Sequence, residues 1–167
     1  MKTRLPVSAA LLVTIVTTLF AATAAAQIGV YAGFSGGHVT SASNTLFGPL
    51  FGAYMQRGSP LSIGLDARGS FLTRNGSQFY TGAAGPRVAI TPPLARIKPY
   101  LEGLVGVGGT SGGGTSSTHL NYQVLFGVDA TIVPRVDWRV IEYSYSALEG
   151  ASTSATILTT GIVVRLP

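Results

Sequence analysis

Polar and apolar positions alternate with a period of two from Leu120 to Leu148, with one interruption at Pro134 and Arg135. Before the interruption, one face is entirely apolar or aromatic and carries Tyr122, Val124, Phe126, Val128, Ala130 and Ile132. After it, one face carries Ile141, Tyr143 and Tyr145, and the other carries Val140, Glu142 and Ser144. Because successive Cβ atoms of a strand point to opposite sides, the pattern predicts two strands joined by a tight turn.

The length of these two predicted strands is informative. Each has about a dozen residues, whereas strands of soluble proteins usually have about 5–6. Strands of about 9–11 residues cross a bilayer when they are tilted. The length therefore favours a membrane-spanning barrel.

The same alternation recurs along the rest of the chain. It predicts six further strands, at residues 27–35, 49–56, 61–72, 79–90, 98–108 and 155–166. Turn-forming residues separate them, including Asn75-Gly76 and Pro92-Pro93. Residues 36–48, 109–119 and 149–154 are predicted as polar loops, the second of them a flexible Gly/Ser/Thr tract. An even strand number without a helical pattern predicts an all-β fold, an eight-stranded antiparallel up-and-down transmembrane β-barrel with both termini on the periplasmic side.

The first 26 residues have the organisation of a secretory signal peptide. Lys2 and Arg4 precede an apolar stretch, and the small residues Ala24-Ala25-Ala26 precede Gln27. We therefore expect a signal peptide at residues 1–26, cleavage between Ala26 and Gln27, and a barrel domain at residues 27–167. The alternative is an uncleaved anchor helix.

Composition narrows the remaining possibilities. The 167 residues include no Cys, so neither a disulfide framework nor a thiolate metal site can form. Charged residues make up 10% of the chain, against about 25% in ordinary soluble domains. Without Lys2 and Arg4, nine basic residues face six acidic ones. This mild excess, without a basic cluster, gives no indication of nucleic-acid binding.

The polar faces of the predicted strands suit a narrow lumen better than an aqueous surface. They are rich in Gly, Ser, Thr and Ala, whereas a soluble surface is rich in Lys and Glu. Several aromatic residues fall near the predicted outer rim, as membrane–water girdles do: Phe34, Phe51, Phe71, Tyr80, Tyr122 and Tyr145. Trp138 falls near the inner rim. The alternative is a soluble sandwich or barrel with these aromatics in its core.

With these features the mature chain resembles the small outer-membrane β-barrel proteins, the eight-stranded group similar to the OmpA membrane domain. The resemblance is carried by residues 98–103 (KPYLEG) with Gly106, Val107 and Gly108, by residues 127–129 (GVD), and by residues 139–143 (RVIEY) with Tyr145. It implies an outer-membrane location after export, with membrane lipid and the secretion and barrel-assembly machineries as partners. One departure is the ending Arg165-Leu166-Pro167, where the family usually has a terminal aromatic residue.

No pattern in the chain predicts catalysis or cofactor binding. The glycines at 106–114 lack the spacing of a dinucleotide fingerprint, and no Lys-Ser or Lys-Thr follows for a phosphate loop. His38 and His119 fall in predicted loops and are too few for a metal site. His119 is followed by Leu120 and Asn121, without the His-x-Ser pairing of the barrel deacylases. We expect no enzyme activity, cofactor or metal.

The most informative polar feature is a set of charges on the predicted inward faces: Asp66, Arg68, Arg87, Glu102, Asp129, Glu142 and Arg165. Because an ion facing hydrocarbon costs about 2–4 kcal/mol at mid-depth, we expect them to pair inside the barrel. The favoured hypothesis is a structural or surface-interaction barrel with a lumen plugged by paired charges, since eight strands leave little interior space. The alternatives are a small pore or lipid/ligand-binding barrel, or a soluble secreted β-barrel. The sequence does not predict an oligomeric state.

Overall fold

The computed structural model describes residues 26–40, 45–92, 96–112, 114–150 and 153–167. The predicted signal peptide lies outside these residues, except for Ala26, and its cleavage stays a prediction. Among the residues described, no helix has the length and hydropathy that crossing a bilayer would require.

Eight antiparallel strands pair in chain order and close into a barrel. They are β1 (Gln27–Val39), β2 (Thr45–Arg57), β3 (Leu61–Arg74), β4 (Ser77–Ile90), β5 (Ile97–Gly112), β6 (Thr115–Val133), β7 (Val136–Leu148) and β8 (Ser154–Arg165). Closure comes from the pairing of β1 with β8, from Gly29 opposite Arg165 to Val39 opposite Ala155. The predicted fold class, an eight-stranded up-and-down barrel, is confirmed.

We call the two ends of the barrel the terminus end and the loop end. The terminus end contains the start of β1, the end of β8 and the turns after β2, β4 and β6. The loop end contains the other four connections. The sequence predicts longer or more polar connections at the loop end, apart from the short one after β3. In the structure the connection after β5 also has only two residues, as many as the connection after β6 at the terminus end, so the predicted difference in length is wrong for β5 and β6.

The predicted flexible loop at residues 109–119 is also wrong, because β5 and β6 continue as a hairpin to the pair Gly112–Thr115. Gly109 lies opposite Tyr80 of β4, and a Cβ at Gly109 would approach the Tyr80 hydroxyl to 2.6 Å. The glycine therefore lets an aromatic ring lie across the neighbouring strand, an arrangement that stabilises strand glycines. Likewise, part of the predicted loop at residues 36–48 belongs to β1 and β2.

The alternation of side chains follows the prediction, with large apolar residues outward. Examples are Ile63, Leu101 and Val124, which are 61%, 56% and 60% exposed. The aromatic residues predicted near one rim also face outward at the loop-end half of the barrel, and Trp138 faces outward near the terminus end. Charged side chains occupy the middle of the interior, so the barrel is apolar outside and polar at its centre.

Three inward tyrosines each lie directly opposite a glycine on the next strand. The pairs are Tyr31 with Gly52, Tyr54 with Gly29, and Tyr100 with Gly127. A Cβ at any of these glycines would collide with the ring of its tyrosine. The glycines thus provide the space in which the rings lie across the barrel wall and reach the lumen charges.

This arrangement predicts that Gly127→Ala destabilises the barrel by about 1–3 kcal/mol, because the added methyl displaces the Tyr100 ring. The matched control is Gly103→Ala on the adjacent strand, where an added Cβ meets no atom within 4 Å. Urea titration of the folded protein compares the two free energies of unfolding. Equal stability of both variants would show that the tyrosine does not need the glycine.

Candidate functional site: a buried ion network in the lumen

Seven charged side chains from five consecutive strands meet in the middle of the lumen. β3 contributes Asp66 and Arg68, β4 contributes Arg87, β5 contributes Glu102, β6 contributes Asp129, and β7 contributes Arg139 and Glu142. Their exposure does not exceed the 6% of Arg68. Six of the seven were predicted as inward charges, and the structure brings these six together.

Arg68 is the hub of this network, because its guanidinium contacts three carboxylates. Its Nε lies 3.0 Å from Asp66 Oδ1, its Nη1 lies 2.6 Å from Glu142 Oε1, and its Nη2 lies 2.5 Å from Glu102 Oε2. Guanidinium–carboxylate hydrogen bonds of this kind are shorter and stronger than neutral ones. The contact with Asp66 lies within β3, and the other two connect β3 to β5 and to β7 across the lumen, between strands that are not neighbours in the sheet.

The remaining contacts close the network into a ring. Arg87 donates through Nη1 to Glu102 and through Nη2 to Asp129 Oδ2 at 3.3 Å. Arg139 then donates through Nε to Asp129 Oδ1 at 3.1 Å and through Nη1 to Glu142 Oε2 at 3.0 Å. Since Arg68 contacts both Glu142 and Glu102, three arginines and three carboxylates alternate around a closed cycle. We call this the ion ring, with Asp66 attached at Arg68.

The inward tyrosines donate hydrogen bonds to carboxylates of the network and pack against the arginines of the ion ring. Tyr31 donates its hydroxyl to Asp66 at 2.8 Å, and Tyr100 donates to Glu142 at 2.7 Å. The Arg87 guanidinium lies 4.0 Å from the Tyr100 ring centroid, and the Arg139 guanidinium lies 4.1 Å from that of Tyr31. Such cation–π contacts are stronger between desolvated groups, and both arginines are buried. The rings therefore replace part of the hydration that the arginines lose.

A second, smaller group of charges lies closer to the terminus end. Lys98 Nζ lies 2.9 Å from Asp137 Oδ2, and Arg165 Nε lies 3.0 Å from the same oxygen. Thr131 donates its hydroxyl to Asp137 Oδ1 at 2.7 Å. We call this group the Asp137 triad, of Lys98, Asp137 and Arg165. Arg165, one of the charges predicted to face inward, does face inward, but it pairs with Asp137 and not with a member of the ion ring.

Sequence reasoning missed Arg139, Asp137 and Lys98. Strict alternation back from Ile141 leaves Arg139 and Asp137 off the inward face. In the structure, a register shift between Arg139 and Glu142 turns both of them inward, and Val140 is the extra residue. A β-bulge of this kind re-aims the side chains on one side of it. The available signal was the charge itself, because alternation would have placed an Arg and an Asp against hydrocarbon.

The two charge groups compensate each other. The ion ring with Asp66 has three positive and four negative side chains, and the Asp137 triad has two positive and one negative. The lumen charges described by the structure therefore balance at five against five. A balanced set is the arrangement that makes burial of so many ions tolerable.

The lumen becomes less polar from the ion ring toward the loop end. Hydroxyl and amide pairs follow the ring, among them Ser35 with Thr159 at 2.8 Å and Asn121 with Ser146 at 2.6 Å. Beyond them lies a buried apolar cluster, here called the apolar plug, composed of Val39, Leu46, Leu72, Phe79, Leu148, Ala155 and Ile157. Paired charges and close-packed apolar side chains thus occupy successive levels of the interior.

Both histidines lie in strands, whereas the sequence predicts that they lie in loops. His38 lies in β1 and is exposed, and His119 lies in β6 and is half-buried. Within the residues that the structure describes, no three His, Cys, Asp or Glu side chains are placed to hold a metal ion.

The ion ring predicts a large difference between two Glu-to-Gln substitutions. Glu102→Gln leaves Arg68 and Arg87 without a shared counter-charge, and breaking a buried pair in this way costs about 3–5 kcal/mol. Glu149→Gln removes the exposed carboxylate at the loop end and should have little effect, because a surface charge is solvated. Urea titration of the folded protein measures both, and a Glu102→Gln variant as stable as Glu149→Gln would contradict the ring.

Comparisons with known proteins identify the fold. No protein-family profile matches the chain, and no curated protein matches its sequence. Among solved structures, Neisserial surface protein A is similar at a TM-score of 0.58 and 20% identity, over 84% of this chain and 97% of that one. Ail of Yersinia pestis is similar at a TM-score of 0.58 and 14% identity, over 85% and 99% of the two chains. The N-terminal barrel domain of Pseudomonas aeruginosa OprF is similar at a TM-score of 0.53 and 9% identity, over 84% and 97%. The predicted resemblance to eight-stranded outer-membrane barrels is thus confirmed at the level of the fold.

Proposed function

We propose that this chain is an outer-membrane β-barrel protein with a structural or surface-interaction role and a closed lumen. The observation that carries the proposal is the inverted distribution of polarity, with apolar side chains outside and ions inside. Outer-membrane lipid is then its immediate partner, and the export and barrel-assembly machineries are the partners that deliver it. The absence of enzymatic activity stays a prediction, because the fold is compatible with either class.

The outward surface supports residence in a bilayer. Large apolar side chains with roughly half of their surface exposed follow one another around the whole barrel, from Val30 on β1 to Ile162 on β8. A monomeric soluble protein rarely exposes a contiguous apolar patch larger than a few hundred Å². A soluble secreted barrel would instead have these side chains inside, where this chain has Arg68, Arg87 and Arg139.

Two tyrosines at the loop end have the orientation that is typical of residues at a membrane–water interface. Tyr80 and Tyr122 lie on the outward faces, and their hydroxyls contact Thr118 Oγ1 at 2.7 Å and Glu149 Oε2 at 3.1 Å. An aromatic body with a polar tip that has found a partner is typical of membrane–water interfaces. These contacts support a hydrocarbon boundary near the loop-end rim.

A second candidate function is the binding of a small ligand at the loop end. A cavity of about 180 Å³ lies there between the apolar plug and the β5–β6 hairpin. Val39 and Leu46 contribute apolar surface to it, and Gln78, Ser111 and Ser117 contribute polar groups. Its small size makes the structural role the better-supported proposal.

The membrane location predicts that one substitution is damaging at mid-barrel and tolerated at the rim. Leu101→Arg places a charge at the middle of the apolar belt and should cost about 2–4 kcal/mol, and Ile97→Arg on the same face near the terminus end should cost about 0–1 kcal/mol. The two positions are similarly exposed, at 56% and 58%. Urea titration of the protein folded into lipid vesicles is the measurement. If both variants were equally stable in vesicles, the outer face would not lie in hydrocarbon.

The closed lumen predicts that the folded protein carries no ion current. Paired ions and the apolar plug occupy the interior, so no continuous water column is available for permeation. Recordings from planar bilayers containing the folded protein should show no stepwise conductance, with heat-denatured protein as the control. Reproducible current steps that depend on the folded protein would favour the pore instead.

A further inference from the structure

The barrel carries its exposed positive charge at one end. Each of the three connections at the terminus end presents one exposed arginine: Arg57 at the end of β2, Arg96 before β5, and Arg135 between β6 and β7. We call these three residues the basic rim. At the loop end, Arg74 is matched by Glu149, so the formal charges there cancel when His38 and His119 are neutral.

The basic rim has no acidic side chain beside it in the described part of the chain. Five of the six carboxylate side chains are buried in the lumen and paired, and the sixth, Glu149, lies at the opposite end. The charge of the terminus end is therefore uncompensated, and a partner of opposite charge would be attracted to it.

The position of the basic rim relative to the apolar belt indicates what kind of partner this is. Arg57 lies opposite Ile63 in the sheet, Arg96 directly precedes Ile97, and Arg135 follows Val133 by two residues. These apolar neighbours are 50–61% exposed on the outer face. Charges at the margin of an apolar belt lie at the level of lipid head groups, where long basic side chains reach the interface.

The turns hold two of these arginines in place through their backbones. The Arg96 carbonyl accepts a hydrogen bond from Thr131 N at 2.8 Å, and the Arg135 carbonyl accepts one from Arg165 N at 2.7 Å. Both side chains nevertheless remain exposed. A fixed backbone with a free guanidinium favours recognition of a mobile ligand group rather than a contact within the barrel.

We propose that the basic rim binds the phosphate groups of anionic phospholipids in the leaflet at the terminus end. This inference rests on the proposed membrane location, and the predicted orientation makes the leaflet the periplasmic one. A guanidinium matches the geometry of phosphate oxygens and can donate two parallel hydrogen bonds to them. A basic residue close to an anionic membrane surface gains about fivefold in affinity.

The only tryptophan of the chain provides a local probe. Trp138 is 44% exposed on the outer face of β7, three residues after Arg135. The folded protein is reconstituted in phosphatidylcholine vesicles that contain phosphatidylglycerol. Bromine atoms on the acyl chains of either lipid quench the Trp138 fluorescence, and the two quenching curves give the relative affinity of the two lipids near Arg135.

The wild-type protein should show a preference for phosphatidylglycerol of about fivefold at low salt, and high salt should weaken it. Arg135→Gln should abolish most of the preference, and Arg135→Lys should retain part of it. Arg74→Gln at the loop end is the matched control and should leave the preference unchanged.

The other outcomes separate this inference from the proposed function. Equal quenching by both lipids in the wild-type protein would overturn the lipid inference alone, and would leave an acidic protein or polymer as the partner of the basic rim. A preference that survives Arg135→Gln would also overturn it. If neither lipid quenched Trp138 in a protein with the circular dichroism of a folded barrel, the barrel would not lie in the bilayer, and both proposals would fail.

Discussion

The ion ring is the interaction on which the rest of the structure depends. In the proposed membrane location, transfer of the outer side chains from water into lipid favours insertion, but contacts with lipid do not select which parts of the barrel meet, because lipid is as apolar as leucine. The specificity of the fold must then come from inside, where Arg68, Arg87 and Arg139 each contact at least two carboxylates. Loss of one member leaves a buried ion without its partner, which is far more costly than loss of a surface pair. The ring thus sets the relative positions of β3 to β7.

Two features of the barrel wall, its glycines opposite tyrosines and the bulge in β7, position side chains of the ion ring. Glycines opposite Tyr31, Tyr54 and Tyr100 let these rings lie flat and cover the arginines. The bulge in β7 places Arg139 in the lumen together with Glu142. The charge balance between the ring and the Asp137 triad concerns the interior alone, so the excess positive charge of the barrel falls on its outside, at the turns of the terminus end. One arrangement of charges thus accounts for both the paired ions of the interior and the charged rim.

The sequence was sufficient to predict the strand number, the barrel and the outward faces, because a period of two is a direct consequence of strand geometry. It also placed Asp66, Arg68, Arg87, Glu102, Asp129 and Glu142 inside. The sequence could not reveal which charges meet, because that depends on the stagger between strands. The stagger places Arg165 beside Asp137 and not in the ring. A bulge shifts the period locally, so Arg139 was missed. Composition alone predicts a loop for the tract from Gly109, although the opposing Tyr80 makes glycine suitable for a strand there.

The central claim is that buried ions of non-adjacent strands are coupled to each other across the lumen. A double-mutant cycle on Arg68 and Glu142, which connect β3 and β7 at 2.6 Å, tests it most directly. The variants are Arg68→Met, Glu142→Gln and the double variant, each folded in vesicles and unfolded by urea. We expect a coupling free energy of at least about 1.5 kcal/mol, as measured for close, desolvated charge pairs. A coupling of less than about 0.5 kcal/mol, typical of solvated surface pairs, would contradict the account.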